Sequence, residues 1–335
     1  MKACTLSNPA PVETRPLTIA DIQKPTAAAD EVLIKINACG ICRTDLHVVE
    51  NELPVRKSPV IPGHQIVGII EDIGSNVSEF STGDRVGVAW LNRTCGKCRF
   101  CTTGRENLCE LAEFTGWTRD GGYAEYVTAP ENFVYRLPEN FADLHAAPLL
   151  CAGIIGYRAL KLANINSWPG ARLGIYGFGA AGHICIQIAR ARGADVYVAT
   201  RDRDRHQKLA EELGAVWVGD TFDAPTVLLD AAIIFAPAGE IVPSALKALD
   251  RGGTLVLGGI HMSPIPQFEY SLVYGERVVR SVMNNTRADG IEFLKEAAAI
   301  PIKTSVQTFP LEDANEALIA LKTDAVRGAA VLQIA

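Results

Sequence analysis

The sequence has 335 residues, a length that suggests about two domains. Of these residues 48% are hydrophobic and 21% are charged, a composition typical of a globular protein. Its formal net charge is −6, and Lys and Arg form no long run, so we expect no binding to nucleic acid or to an anionic membrane surface. The first residues, MKACTLSNPAPVETRP, lack the apolar core of a signal peptide. No apolar stretch reaches the roughly 18 residues of a membrane span, and we therefore expect a cytoplasmic location.

The pattern of apolar and polar residues changes along the chain. Alternating apolar and polar residues predict strands in the first part, at 31–37, 66–74, 84–90 and 123–129. From about residue 172, apolar strands alternate with helical patterns, and this rhythm indicates an α/β fold with a doubly wound parallel sheet. The six strands of that sheet are predicted at 172–176, 195–199, 215–219, 228–236, 253–259 and 277–282. The tail is mixed, with helices predicted at 290–299 and 311–323 and strands at 306–309 and 328–334.

Four of the nine cysteines form one local pattern, Cys95-x2-Cys98-x2-Cys101-x7-Cys109. Thiolates at these spacings can surround a tetrahedral zinc ion at about 2.3 Å, and a site filled by four protein ligands would be structural. The alternatives are four unrelated thiols or a redox pair of cysteines. The polar residues between them and the presence of four thiols in one segment favour zinc.

Three further residues could bind a metal, but their spacing alone does not show that they meet. Cys42 lies in CGICRTDLH, His64 in IPGHQIVG and Cys151 in APLLCAGIIGY. Taken singly, each cysteine could be a small core residue, and the histidine could be a hydrogen-bonded structural residue.

A glycine-rich turn, Gly177-Phe178-Gly179-Ala180-Ala181-Gly182, follows a predicted strand and opens an apolar-faced helix. This is the context that a dinucleotide-binding turn requires, because the helix N-terminus offers N–H groups and a positive dipole end to the pyrophosphate. The alternative is a glycine-rich turn in a Rossmann domain that binds no nucleotide.

The chain resembles the zinc-dependent medium-chain alcohol dehydrogenases. The resemblance is carried by five motifs in the family's order: GICRTDLH, PGHQ, the four-cysteine segment, LLCAG and GxGxxG. It extends nearly from end to end and is greatest to the yeast and bacterial branch. The resemblance implies a β-rich, GroES-like catalytic domain and a Rossmann domain. We place the catalytic domain at 1–153 and 284–335, with a structural-zinc lobe at about 92–112, and the Rossmann domain at 154–283. It also implies a homo-oligomer, dimeric or tetrameric.

The resemblance also implies roles for individual residues. Cys42, chosen over Cys39, would bind a catalytic zinc together with His64 and Cys151, leaving one position open; alcohol dehydrogenase is itself a standard example of this ligand set. The remaining roles are second-sphere support of His64 by Asp45, a proton relay through Thr44 and His47, pyrophosphate contacts by Arg43 and Arg327, and pocket walls formed by Trp90 and Trp117. One departure is Gln65, where the family usually has Glu, so zinc exchange or turnover could differ.

The chemistry of alcohol oxidation agrees with this assignment. Hydride can leave only from an alkoxide, and a zinc ion with an open position lowers the pKa of an alcohol. Thr44 lies two residues from Cys42 and could pass the proton through the cofactor ribose to His47. We therefore expect two zinc ions per subunit and a small-molecule alcohol or aldehyde as substrate.

The end of the second Rossmann strand indicates which nicotinamide cofactor binds. NAD-specific domains place an acidic residue there on the ribose 2′-hydroxyl, whereas this chain has Thr200 and Arg201 followed by Asp202. A hydroxyl residue and a guanidinium suit a 2′-phosphate, which favours NADP(H) over NAD(H). Asp202 leaves NAD(H) open.

Two other functions remain at this stage. A polyol or sugar dehydrogenase on the same scaffold often has Glu as its third zinc ligand, so Cys151 speaks against it. The second alternative is a protein that binds zinc and dinucleotide without catalysis. The intact ligand and relay residues disfavour it, but Gln65, which replaces the family's usual Glu, leaves this alternative open.

Overall fold

The structure, a computed structural model, describes all 335 residues. The chain divides into two units. The first comprises Met1–Cys151, Thr286–Ala298 and Thr304–Ala335, and the second comprises Ala152–Asn285 and Ala299–Lys303. None of the helices is long and apolar enough to cross a lipid bilayer.

The first unit is built largely from strands. Val32, Ile34 and Ile36 lie on one face of a strand and are at most 1% exposed, whereas on the other face Leu33 is buried and Lys35 is exposed, so one face is fully and the other only partly covered. The elements of this part are β1 (Lys2–Leu6), β2 (Leu17–Asp21), β3 (Glu31–Ile41), α1 (Arg43–Val49), β4 (Gln65–Ile73), β5 (Arg85–Val88), β6 (Leu91–Arg93), β7 (Glu113–Phe114), β8 (Tyr126–Pro130), β9 (Val134–Arg136) and α2 (Asp143–Ala146).

The second unit contains a six-stranded parallel sheet in the order β12-β11-β10-β13-β14-β15, which confirms the doubly wound parallel sheet predicted from the sequence. Its central strands read as apolar runs because helices cover them. The elements are α3 (Ala152–Leu162), β10 (Arg172–Tyr176), α4 (Ala180–Ala191), β11 (Asp195–Ala199), α5 (Lys208–Glu212), β12 (Trp217–Gly219), β13 (Leu229–Ile234), α6 (Ile241–Ala248), β14 (Leu249–Leu257) and β15 (Val278–Ser281).

One helix of this unit begins irregularly. In the charged segment 204–214, a wide π-helical turn over Arg203–Gln207 precedes α5. Asp202 has a φ of 62° and its side chain accepts a hydrogen bond from the backbone N–H of Arg205, so the acid starts the wide turn.

The tail returns to the sheet of the first unit with α7 (Arg287–Ala299), β16 (Val306–Pro310), α8 (Ala314–Lys322) and β17 (Ala329–Gln333). The seven-stranded sheet runs β16-β17-β3-β4-β5-β9, with β8 also paired to β3. β17 is antiparallel to the last residues of β3, with Ala330 opposite Ile41. Because Ile41 directly precedes Cys42, the tail holds the strand end from which the candidate site begins.

Candidate active site

The junction of β3 and α1 carries the first group of site residues. Cys42 is the N-cap of α1: its Sγ accepts the backbone N–H of Thr44 at 3.3 Å, and its own N–H donates to Asp45 Oδ2 at 2.9 Å. This reciprocal capping satisfies N–H groups that a helix start leaves without partners. The thiol of Cys42 and the carboxylate of Asp45 are thereby held in fixed positions.

Three donor atoms from separate segments meet at this junction. Cys42 Sγ lies 3.4 Å from His64 Nε2 and 4.0 Å from Cys151 Sγ, and all three donor atoms lie within 4.8 Å of one another. Tetrahedral zinc with Zn–S near 2.3 Å and Zn–N near 2.05 Å would separate two sulfurs by about 3.8 Å and a sulfur from a nitrogen by about 3.6 Å. The donor set therefore fits a zinc ion, with three protein ligands and one position left over.

Burial and charge shape the titration of this cluster. Burial opposes charge on His64, but the charges of Asp45 and Cys42 outweigh it and raise the pKa of His64 to about 10. Asp45 Oδ1 lies 2.9 Å from His64 Nδ1, and burial raises the pKa of Asp45. The hydrogen bond with Cys151 holds the pKa of Cys42 well below its usual range and raises the pKa of Cys151. A bound cation would relieve this crowding of negative charge.

The second cluster lies in the segment between β6 and β7. Cys98 Sγ is 3.5 Å from Cys101 Sγ, which is 3.9 Å from Cys95 Sγ, and Cys109 completes a group within 4.8 Å. These separations are close to the sulfur–sulfur edge of about 3.8 Å in a zinc tetrahedron. Hydrogen bonds from backbone N–H groups, that of Lys97 first, lower the pKa of Cys95 to about 6, which favours a thiolate.

An aromatic stack lies against the first cluster. The ring of Trp90 meets that of His64 edge-on at 5.0 Å, and the Trp117 ring is stacked on Trp90 at 5.9 Å with an interplanar angle of 10°. Both tryptophans were predicted as pocket walls. Phe114, which the sequence did not single out, stacks on Trp90 at 5.2 Å. Phe114 lies on β7, which pairs with β6, and β6 begins just after Trp90. The two rings are thus brought together by strand pairing, which no sequence motif indicates.

The two predicted relay residues lie on α1. Thr44 and His47 are three residues apart, which places them on one face of the helix. His47 is 6% exposed, and its Nδ1 contacts the carboxylate of Glu52, a residue that the sequence did not single out.

The glycine-rich turn has the geometry expected of a nucleotide-binding turn. Gly177 has a φ of 86°, and a Cβ there would lie 2.8 Å from Ala236 N. A Cβ on Gly182 would meet Gly177 O at 2.9 Å, so this position needs glycine for close packing. Gly179 is the N-cap of α4 and has no atom within 4 Å of where a Cβ would lie. A pyrophosphate can therefore approach this helix start closely.

The end of β11 carries the predicted cofactor-selecting residues. Thr200 is 3% exposed, and its carbonyl accepts Gln207 Nε2 at 2.8 Å. Arg201 is exposed. The Asp202 carboxylate accepts the Arg205 N–H at 3.0 Å and forms an ion pair with its guanidinium at 2.7 Å, and these contacts with Arg205 lower the pKa of Asp202.

Arg43, Arg327 and Gln65 differ in their exposure to solvent. Arg43 is the first residue of α1 and is half-buried, whereas Arg327 is exposed in the turn before β17. Gln65 is 2% exposed, and its Nε2 has no hydrogen-bond partner. Its amide lies against Gly40, where an added Cβ would be 2.9 Å from Gln65 Cδ.

The chain combines a doubly wound domain that has a glycine-rich turn with a β-rich unit that has two clusters of side chains able to hold a metal, and this combination is typical of metal-binding dehydrogenases. Residues 28–139 match the alcohol dehydrogenase GroES-like domain, and residues 180–299 match the zinc-binding dehydrogenase domain. The chain is 48% identical to a probable alcohol dehydrogenase, AdhA, of Mycobacterium tuberculosis, over 100% of this chain and 97% of that protein. It is 37% identical to an alcohol dehydrogenase of Geobacillus stearothermophilus, over 96% of this chain and 97% of that one.

Solved structures agree. A cinnamyl alcohol dehydrogenase from Sorghum bicolor superposes with a TM-score of 0.90 at 29% identity, covering 99% of this chain and 97% of that one. A Helicobacter pylori cinnamyl alcohol dehydrogenase complexed with NADP(H) gives 0.88 at 25% identity, covering 100% and 99%. The chain belongs to the zinc-containing medium-chain alcohol dehydrogenase family. It is an oxidoreductase of the alcohol dehydrogenase class that uses a nicotinamide cofactor.

Proposed function

We propose that this protein catalyses the reversible, zinc-dependent oxidation of a primary or secondary alcohol to an aldehyde or ketone with NADP(H). The observation that carries the proposal is the meeting of Cys42, His64 and Cys151 within 4.8 Å, beside the Trp90 ring. Three protein donors leave one tetrahedral position for substrate, whereas the four-cysteine cluster leaves none. The proposal therefore assigns the three-donor site to catalysis and the four-cysteine site to structure.

Zinc held by Cys42, His64 and Cys151 would supply Lewis-acid activation of the alcohol hydroxyl. Other residues of the chain orient His64, transfer the proton and orient the substrate. Asp45 accepts a hydrogen bond from His64 Nδ1 and so directs Nε2 toward the other donors. Thr44 holds the hydroxyl proton of the substrate at its Oγ1, and His47 takes up the proton that Thr44 gives away. Trp90, with Phe114 and Trp117 stacked on it, forms an apolar wall that orients the substrate and excludes water.

The preference for NADP(H) is supported by how the acid after β11 is engaged. The Asp202 carboxylate caps the wide turn and forms an ion pair with Arg205. These local contacts compete with a hydrogen bond between Asp202 and the ribose 2′-hydroxyl of NAD(H). Arg201 is exposed and directly follows Thr200, and a guanidinium suits the geometry of a 2′-phosphate.

The proposal also includes a homo-oligomer. β15 is the edge strand of the six-stranded sheet, all four of its residues are exposed, and Val278 and Val279 are 46% and 39% exposed. An exposed apolar sheet edge is a template for pairing with another strand, and the same edge of a second copy can pair with it by two-fold symmetry.

Absorbance at 340 nm tests the function directly. We expect oxidation of NADPH with a short or aromatic aldehyde, loss of activity on chelation, and recovery when zinc is added. Arg201→Ala should raise the KM for NADPH about tenfold or more and leave the KM for NADH nearly unchanged. Arg203→Ala, which removes an exposed arginine two residues further along the chain, is the matched control. A preference for NADH that Arg201→Ala does not change would overturn the NADP(H) assignment.

A further inference from the structure

The chain reverses direction immediately after α1, and this turn brings Glu52 back to the helix. Asn51 has a φ of 61°, in the left-handed region. The N–H of Asn51 donates to Val48 O at 3.3 Å, and the N–H of Glu52 donates to His47 O at 2.9 Å. This pair of bonds is a Schellman motif, the helix ending in which a left-handed residue turns the chain back over its last turn. The backbone of Glu52 is thereby fixed to the carbonyl of His47.

The side chains of the same two residues also meet. Nδ1 of the His47 ring contacts Oε2 of Glu52. The His47 side chain is 7% exposed and that of Glu52 is 42% exposed. The pair therefore links a buried ring to a carboxylate that reaches water. Backbone and side-chain contacts together hold one acid in one position relative to one ring.

Neighbouring charges have other partners. Glu50, also at the end of α1, accepts the N–H of Val12 at 2.8 Å and pairs with Lys322 at 2.7 Å. Lys322 also pairs with Glu13 at 2.8 Å. Glu50 is thus engaged by Val12 and by Lys322 of α8, and Glu52 is the acid that contacts the His47 ring.

We propose that Glu52 is a positioning residue for proton release, acting through His47. A neutral imidazole that donates from Nδ1 to a carboxylate has Nε2 as its acceptor. Glu52 therefore selects the tautomer in which Nε2 takes up the proton leaving the substrate, and its negative charge stabilises the imidazolium that results. One proton enters at Nε2 and one later leaves the imidazolium to water, so the carboxylate and the ring are both restored. The proposal rests on the proposed function, in which His47 accepts that proton.

Two measurements on full-length, zinc-loaded protein test this. Long-range ¹H–¹⁵N spectra of histidine-labelled protein report which ring nitrogen carries hydrogen, with His47→Gln used for assignment. We expect His47 to be Nδ1-protonated in the wild type and to shift toward the Nε2-protonated form in Glu52→Ala. The single-turnover rate of NADP⁺ reduction by an alcohol should fall about tenfold to a hundredfold in Glu52→Ala, with zinc content and cofactor affinity unchanged. Glu52→Asp should recover part of the rate.

Two substitutions at Asn51 separate the turn from the carboxylate. Asn51→Gly keeps a residue that adopts positive φ readily and should retain the wild-type rate and spectrum. Asn51→Val disfavours that conformation and should move both readouts toward those of Glu52→Ala. A wild-type ring spectrum or a wild-type single-turnover rate in Glu52→Ala overturns the inference. If wild-type protein reduces neither cofactor, the proposed function fails, whereas the spectra still decide whether Glu52 sets the tautomer of His47.

Discussion

Replacing Asp45 by Asn changes one oxygen atom to nitrogen in a group that must accept two hydrogen bonds. Oδ1 accepts from His64 Nδ1 at 2.9 Å, and Oδ2 accepts from the backbone N–H of Cys42 at 2.9 Å. A carboxylate offers two acceptor atoms, but an amide offers one. In Asp45→Asn one of the two donors must therefore face an NH₂ group.

The size of the effect follows from this mismatch. Leaving one buried donor without an acceptor costs about 1–3 kcal/mol. Loss of an outer carboxylate that orients a metal-binding histidine typically weakens metal binding about 10–100-fold, or about 1.4–2.7 kcal/mol. Because the two figures agree, we expect the Kd of the catalytic zinc to rise by about 10–100-fold in Asp45→Asn.

Competition with a fluorescent chelator measures this affinity, and elemental analysis counts the zinc that remains. Zinc per chain should fall from two toward one at chelator concentrations that leave the wild type fully loaded, because the four-cysteine cluster does not involve Asp45. Asp143→Asn is the matched control, since Asp143 pairs with Arg85 at 2.7 Å in the same unit. If Asp45→Asn keeps both ions with wild-type affinity, then Asp45 does not hold the ligand His64 and the reasoning is wrong.

Three further predictions concern other parts of the molecule. Burial lowers the pKa of His183 from 6.5 to about 4, so the unfolded chain binds a proton in this pH range that the folded protein does not. The free energy of unfolding should therefore fall by about 3 kcal/mol in total as the pH drops from about 6.5 to about 4. Urea titrations should show a correspondingly shallower pH dependence in His183→Gln, and parallel curves would contradict this. Cys98→Ser should remove one zinc per chain and lower the thermal midpoint; retention of two ions would reject a metal at the four-cysteine cluster. Val279→Arg should shift the protein to a smaller species in sedimentation, and an unchanged mass would exclude β15 from the interface.

The four-cysteine cluster could be predicted from sequence because its donors lie in one short segment, where local turns alone bring them within 4.8 Å. The other cluster could not, because Cys42 is 22 residues from His64 and 109 residues from Cys151. Separations of that length carry no geometric information, and only resemblance to a family connected these three residues. The doubly wound sheet was predicted because its strands and helices alternate with clear periodicity.

The features that the sequence missed depend on contacts that no pattern encodes. Phe114 joins the aromatic stack through the pairing of two very short strands. Glu52 reaches His47 because Asn51 adopts a left-handed conformation at the end of α1. The irregular start of the charged helix at Arg203–Gln207 follows from the positive φ of Asp202, a local choice that helix propensity does not reveal.

The pairing of β17 with β3 has a consequence for the order in which the protein matures. β17 pairs with the last residues of β3, and β3 leads directly into Cys42. Because β17 lies far downstream of β3 in the chain, this edge of β3 stays unpaired during synthesis until β17 has left the ribosome. The framework of the three-donor site therefore forms late, whereas the four-cysteine segment is local and needs no residue after Cys109. A chain truncated before β17 would lack the strand that holds the β3 end before Cys42, and would keep every residue of the four-cysteine segment.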